Sequence, residues 1–293
     1  MGARKSTKEQ SEPKTVGELL RNSAGSFGPK AALQIKRDDS YDVLTYTQLY
    51  EKSRNLSSFL VSSGIRKGDR VAILCENRPE WVSVYFGILG CGGVVVGIDT
   101  KLRTREIENI LSHSEARMVF TSAQFSTFQF PQNTISVDED RFKTVTGHTE
   151  EIDQARTDPN DLAMLVYTSG TTGAPKAVML THRNIVSNML AAYRVLPARG
   201  ADQFLSVLPL SHMFELVGGL LGPLYSGATV TYMTSMKASA VRVAMRETRT
   251  TIMLGVPLMF KLIYKRITDT VEESMQPVPI VFSFNMKMAR TSK

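Results

Sequence analysis

The sequence predicts an α/β protein made of two wound βαβ-type subdomains with mainly parallel sheets. Three observations predict it: short apolar runs that do not alternate with polar residues, amphipathic segments of helical period between them, and a return of this rhythm after a polar interruption. A strand that is apolar on both faces needs cover on both, which helices packed on either side of a parallel sheet provide. Composition agrees. The 293 residues are 42% hydrophobic and 22% charged, near the averages for soluble globular chains and enough for one large core or two moderate ones. A collagen-like, wholly disordered or small disulfide-stapled chain is excluded.

The pattern divides into a polar, basic leader over residues 1–39, a first α/β subdomain over 40–121, a connection over 122–160, a second α/β subdomain over 161–268 and a tail over 269–293. In the first subdomain, Thr45 and Gln48 have capping-box spacing, and Leu49, Leu56, Phe59 and Leu60 line one helical face until Gly64 ends it. Gly68 and Asp69 turn the chain into a strand at 71–74. Asn77 and Pro79 open a second helix, and a second strand-like run follows at 94–98. Thr104 caps a helix carrying Ile107, Ile110 and Leu111 before the strand at 118–121. The connection dissolves into Ser, Thr, Gln, Asp and Glu. Strands resume at 163–167, 177–180, 204–208, 229–233 and 252–254, with helices starting near Thr181, His212, Met236 and Pro257. In sheets of this kind ligands bind beyond the carboxyl ends of the strands, so the loops at 168–175 and 209–212 are where chemistry is expected.

Charge and cysteine content narrow the function classes. The net charge of +7 could suggest nucleic acid or an anionic membrane if it were gathered on one folded face. Instead +5 lies in residues 1–37 and +3 in 277–293, which leaves −1 for everything between. No nucleic-acid partner is expected, and the basic leader reads as solvated or as a peripheral membrane contact. Cys75 and Cys91 match no metal-ligand spacing and read as buried, reduced thiols of a cytoplasmic protein. The first residues lack an apolar signal region, although Met1, Gly2 and Ser6 fit a myristoylation pattern. Residues 81–98 run without a charge but contain Gly87, Gly90, Gly92, Gly93 and Gly97, so a helix stopped by glycines and followed by a buried strand explains them better than a membrane span.

The most informative segment is Tyr167-Thr168-Ser169-Gly170-Thr171-Thr172-Gly173-Ala174-Pro175-Lys176. Gly170 and Gly173 permit positive φ and close approach of N–H groups to an anion. Thr168, Ser169, Thr171 and Thr172 add hydroxyl donors, and Lys176 supplies a cation. A Walker loop would need its Lys followed by Ser or Thr and a helix, whereas Lys176 follows Pro175 and feeds a strand. Composition alone leaves open a polar hairpin joining two strands. The order of residues, with Asp161-Leu162-Ala163 before and Met179-Leu180-Thr181-His182-Arg183-Asn184 after, closely resembles the ATP-phosphate signature of the AMP-forming adenylating enzymes. That superfamily includes acyl-CoA synthetases, luciferases and the adenylation domains of peptide synthetases. The resemblance spans about residues 40–268. One position departs from it: Ala177 stands where the family usually has Gly, which puts the geometry of that joint in question.

A second constellation is Leu208-Pro209-Leu210-Ser211-His212-Met213-Phe214-Glu215, followed by Gly218 and Gly219. Alone, His212 is as well explained by local backbone bonding. It resembles the family's Pro-Leu-x-His element, which implies a gating and positioning residue at the ATP and acyl pocket. Glu215 is explicable as a carboxylate balancing a helix N-terminus. This run, Gly227-Ala228-Thr229-Val230 and Gly255-Val256-Pro257 look most like long-chain fatty acyl-CoA synthetases.

The resemblance implies attack of a fatty carboxylate on the α-phosphate of ATP, giving an acyl-adenylate and pyrophosphate, then displacement of AMP by coenzyme A. It implies Lys176 and His212 as catalytic residues, Thr168, Ser169, Gly170, Thr171, Thr172, Gly173 and Lys176 as ATP-binding residues, and the Thr171 hydroxyl as an Mg²⁺ ligand. Two other readings are an acyl-AMP ligase that loads a carrier protein and a noncatalytic ATP- or lipid-binding module. The family's downstream aromatic-Gly-x-Thr-Glu and Thr-Gly-Asp elements, hinge and C-terminal domain are not found, so the fold is expected to be an incomplete N-terminal domain. Such a chain would expose apolar surface and strand edges, and would be marginally stable, self-associating or dependent on a complementing C-terminal half.

Overall fold

The computed structural model describes residues 12–130, 132–147, 156–168, 175–235, 237–261, 264–265 and 268. The chain forms two compact units, Met1–Leu254 and Gly255–Lys293. In the second, residues 257–261 are helical. The first holds two sheets, both mainly parallel, as the sequence predicts. The first sheet takes β1 (Ala31–Arg37), β2 (Ser40–Thr45), β9 (Gln203–Leu205), β10 (Thr229–Tyr232) and β11 (Ile252–Met253) in the order β11-β9-β10-β1-β2. The second takes β3 (Arg70–Leu74), β4 (Val94–Gly97), β5 (Met118–Thr121), β6 (Asn133–Ser136), β7 (Leu162–Thr168) and β8 (Lys176–Thr181) in the order β6-β5-β3-β4-β7-β8. The only antiparallel pairs between described strands put β2 and β8 at an edge of each sheet.

This topology corrects the expected division in three places. The 1–39 leader contains α1 (Val16–Phe27) and β1. Thr15 caps α1 by accepting from the Glu18 N–H at 3.2 Å, and Val16, Leu19, Leu20 and Ser23 give it a buried stripe that the surrounding polar residues dilute. The 122–160 connection contains β6 and α5 (Asp140–Thr146), because Ile135, Phe142 and Val145 are enough to pin these short elements to the core. The two subdomains also do not each own a sheet: β7 and β8, from 161–268, complete the sheet begun by β3, while β1 and β2 lie beside β10. Sheet partners lie far apart along the chain, so local periodicity does not show them.

Within the second sheet the side-chain period is visible in the core. Val71 and Ile73 of β3 face one apolar cluster with Met118 and Phe120, while Ala72 and Leu74 face another with Val94, Val96 and Val119. The second cluster is capped by α4 (Thr104–Ser114) through Ile107, Ile110 and Leu111. The first is shared with β1 and β10 of the other sheet and filled by α2 (Tyr46–Ser62) and α3 (Pro79–Gly90). Every residue of α3 from Trp81 to Leu89 is buried. The expected capping box of α2 is present, with Thr45 accepting from Gln48 N–H and Gln48 accepting from Thr45 N–H.

The helix, glycine turn and buried strand expected over 81–98 are present as α3 and β4, and two of the glycines have a further part. Gly87 and Gly90 lie inside α3, where a Cβ would come within 2.6 Å of Leu56 Cβ and 2.3 Å of Ser57 Oγ. They let α2 approach, and Ser57 Oγ donates to Gly87 O at 2.8 Å across that contact. The turn is made by Gly92, at φ +77°. No helix among the described residues is long and apolar enough to cross a membrane. Cys75 and Cys91 are buried free thiols. Met1, Gly2 and Ser6 lie outside the described residues.

The N-terminal helix is tied down by α6 (His182–Val195). The buried His182 accepts the Val16 N–H on Nδ1 at 3.3 Å, and burial pushes its pKa down to about 4 against the weaker pull of Asp161. The ring is neutral in the fold and charges more readily when unfolded. Its contribution is therefore complete above its ordinary pKa of 6.5 and is lost as pH falls toward about 4, by up to about 3 kcal/mol. Urea unfolding of wild type and His182→Gln should show the wild-type advantage shrinking over that window. A constant difference across it would mean that His182 does not titrate with folding.

Candidate functional site

Strands β7 and β8 form a hairpin whose register ends at Thr168 opposite Lys176. Ser169, Gly170, Thr171, Thr172 and Gly173 lie outside the described residues, so the structure locates the two ends of the expected loop. Thr168 and Lys176 are both exposed, and Lys176 makes no ion pair with a described residue. Antiparallel strands thus flank the segment on both sides. Ala177 sits inside β8 opposite Tyr167 and is absent from the described non-glycine residues of positive φ, which are Asp38, Glu115 and Arg249. An extended backbone accepts alanine without strain, which answers the question raised by its Cβ.

The second constellation is brought to the same place through β4. In parallel register Gly97 lies beside Val166, so Asp99, two residues further on, lies where the neighbouring strand reaches Thr168. His212 Nε2 meets Asp99 Oδ2 at 2.9 Å, with the His212 side chain 55% and Asp99 19% exposed. Asp99 also accepts the Lys101 N–H at 2.9 Å, which fixes its carboxylate. A Cβ on Gly97 would stand 3.4 Å from Ser211 Cα and 2.8 Å from Met164 Cε. Glycine there is what lets the 209–212 loop lie over the end of β4.

That loop is fastened from below. Asn77, just beyond β3, donates from Nδ2 to Leu208 O at 2.6 Å and to Ser206 Oγ at 3.1 Å, and its Oδ1 accepts the Leu210 N–H at 2.9 Å. Ser206 Oγ in turn donates to Glu215 Oε1 at 2.6 Å. Glu215 ends α7 (Met213–Glu215), which continues as a π-helix over Leu216–Leu221 and then α8 (Gly222–Ser226). A Cβ on Gly219 would meet Glu215 Oε1 at 2.4 Å, so the carboxyl group occupies the space a side chain would take. Glu215 is 1% exposed, and burial pushes its pKa up to about 7 despite the Ser206 bond. Its Oε2 and the buried Tyr232 hydroxyl have no hydrogen-bond partner among the described residues. A group this deeply buried does not balance a helix terminus in solvent, which corrects the expectation for Glu215.

A cavity of about 420 Å³ opens at the carboxyl ends of β1, β3, β4, β9 and β10, with Asn77, Arg78, Lys101, Ser206 and Ser211 in its wall; Thr168, Lys176 and His212 are not among its lining residues. Arg78 is held by Glu76, Glu80 and Asp138 at 3.1, 2.8 and 2.7 Å, and burial of Asp138 is outweighed by the Ala123 N–H and Arg78, which keep its carboxyl below the ordinary range. Lys101 has no ion pair with a described residue. Asn77, Asp99 and Lys101 were not legible as site residues. Asn77 reads as a helix opener ahead of Pro79, and only its place at a strand's carboxyl end hints at more. For Glu215, the four-residue spacing to Gly219 is the available signal. Among the described residues no cluster of His, Cys, Asp or Glu could hold a metal ion.

A family profile described as AMP-binding enzyme matches residues 20–289, wider at both ends than the 40–268 of the sequence resemblance. Among curated proteins, the chain is 32% identical over 247 residues to a long-chain-fatty-acid–CoA ligase of Bacillus subtilis, covering 69% of this chain and 43% of that protein. Among solved structures, the N-terminal domain of FACL13 from Mycobacterium tuberculosis superposes with a TM-score of 0.77 at 25% identity, covering 85% of this chain and 64% of that one. A fatty acyl-adenylate ligase from L. pneumophila, in complex with acyl adenylate and pyrophosphate, superposes with a TM-score of 0.74 at 22% identity over 84% of this chain and 45% of that one. The chain spans about two fifths of the length of the curated relatives it matches.

The Glu215 environment has its own pH signature. A carboxyl whose pKa is raised in the fold stabilises it fully below 4.5, and that contribution is lost as pH rises through about 7. Glu215→Gln, which keeps shape without a charge, should therefore unfold at the same urea concentration as wild type near pH 4.5. It should be more stable by up to about 3 kcal/mol at pH 8. Parallel behaviour of the two proteins would mean that Glu215 is not desolvated.

Proposed function

Because this chain belongs to the AMP-binding enzyme family, we propose that it carries the ATP-phosphate and acid-positioning elements of an adenylate-forming ligase that activates a long-chain fatty acid and passes it to coenzyme A. The observation that supports the proposal is strand register: β7 and β4 are parallel neighbours, so the hairpin root at Thr168 and Lys176 and the Asp99–His212 pair lie beyond the same sheet end. The relatives named as fatty-acid–CoA ligases support the choice of acid and acceptor.

The physical problem in such a reaction is electrostatic, since an anionic carboxylate must approach a polyanion. Lys176, standing without an ion pair among the described residues, and the hydroxyls and N–H groups of Thr168, Ser169, Gly170, Thr171, Thr172 and Gly173 would spread the charge of the departing pyrophosphate. Mg²⁺ would add charge neutralisation there, with the Thr171 hydroxyl as the ligand this chain offers. His212, held by Asp99, would orient the acid rather than remove a proton, because a carboxylate brings none to remove. A second reading replaces coenzyme A by a carrier protein. The two differ in whether free coenzyme A releases AMP. The cytoplasm, with a peripheral membrane contact, is the proposed location.

Fatty-acid-dependent exchange of labelled pyrophosphate into ATP tests the adenylation step on the 293-residue chain. Exchange should be measurable, and Lys176→Ala should lower it by about 10²-fold or more. Equal rates in the folded variant would remove Lys176 from the mechanism. No exchange in wild type that still binds ATP would leave a nucleotide-binding module.

A further inference from the structure

We propose that Asn77 is a positioning residue for His212: its carboxamide clasps the loop between β9 and α7 and so sets the imidazole against Asp99. The link to adenylation rests on the reading above, but the geometry does not depend on it.

Three polar contacts of one side chain carry the inference. Asn77 uses Oδ1 for the Leu210 N–H and Nδ2 for both Leu208 O and Ser206 Oγ. Donor and acceptor of one planar amide are thus spent on backbone two residues apart, which fixes the path of the loop and not only its distance. The loop then turns by the bond from His212 N–H to Pro209 O at 3.0 Å, and His212 Nε2 reaches Asp99. The clasp crosses between sheets, since Asn77 follows β3 and Ser206 follows β9. Behind it, Ser206 is held in orientation by the buried Glu215, which Gly219 leaves room for. Leu, Ala or Ser at position 77 could fill space but could not satisfy Leu210 N–H and Leu208 O together.

A core residue of purely structural weight would change stability and leave the His212 ring where it is. A positioning residue moves that ring in a protein that stays folded. The ring ¹⁵N signals of His212, assigned with His212→Gln, are therefore the readout, recorded on the 293-residue chain with the buried His182 as an internal reference for the intact fold. Asp99→Asn defines the displacement expected when the His212 contact is altered. Asn77→Ala should move the His212 signals in the same sense while His182 stays unchanged. Asn77→Asp keeps the acceptor for Leu210 N–H but loses the donor to Leu208 O, and should give a displacement of the same sign. If Asn77→Ala does not fold, Asn77→Asp decides alone. Unmoved His212 signals in a folded variant would overturn the proposal. Measuring ATP binding by wild type and Lys176→Ala in parallel separates the two ideas. Loss of the functional reading would appear as ATP binding that is absent or indifferent to Lys176, with the His212 response intact.

Discussion

The structure depends on a helix that has no solvent face. From Trp81 to Leu89 every side chain of α3 is buried, including Trp81 and Tyr85, whose rings stack at 5.4 Å. Each fully buried large apolar side chain is worth roughly 1.5–3 kcal/mol over exposure, so a helix apolar all round has no stable place except inside. One sheet covers it on one side only. The second sheet and α2 must close over the rest, and the core that results draws on β1, β3, β5, β7 and β10 together. Local order along the chain gives way to this requirement, which is why β1 and β10 pair although nearly 200 residues separate Leu33 from Val230.

Closing two sheets around one helix also creates the crevice. Their carboxyl ends are brought to a common rim, where the segments after β3, β4, β9 and β10 line one cavity. Glycine sets how near they come: Gly97 admits Ser211, and Gly87 and Gly90 admit α2. Polar groups then fix what packing has brought close. Asn77 ties the strand ends across the gap, and Asp99 takes His212. Packing supplies proximity without direction, and hydrogen bonds supply direction that would be too weak to create proximity. Both are needed for a loop of irregular backbone to hold one conformation.

How much of this the sequence disclosed follows from the range of each interaction. The helix α2 with its capping box, the strands of the second sheet other than β6 and the hairpin flanks at Thr168 and Lys176 are legible because short-range periodicity and turn chemistry specify them. The place of the 209–212 loop beyond a strand is legible through the order of residues in 208–215. Sheet membership is not, since the β1–β10 and β4–β7 pairings depend on shared burial and leave no local pattern. The leader and connection hid α1, β6 and α5 because a few apolar residues suffice when the surface receiving them already exists. Glu215 was misjudged for a related reason: a carboxylate looks exposed in a sequence, and only the gap left by Gly219 and the bond to Ser206 reveal it as buried.

The distribution of charge at the rim separates support from recognition. Two arginines border the cavity, yet Arg37 is engaged by Asp42 at 2.9 Å and Glu80 at 2.7 Å, and Arg78 by three carboxylates. Planar guanidinium groups with several fixed donors suit such permanent multi-point binding. Their charge is already engaged, and an entering anion would have to displace those carboxylates to use it. Lys101 and Lys176 make no ion pair with a described residue, and a lysine's compact charge on a flexible stem can follow a ligand. Under the proposed function an entering anion would therefore meet the lysines first, since the arginines are already engaged by carboxylates of β2, α3 and the segments after β3 and β6.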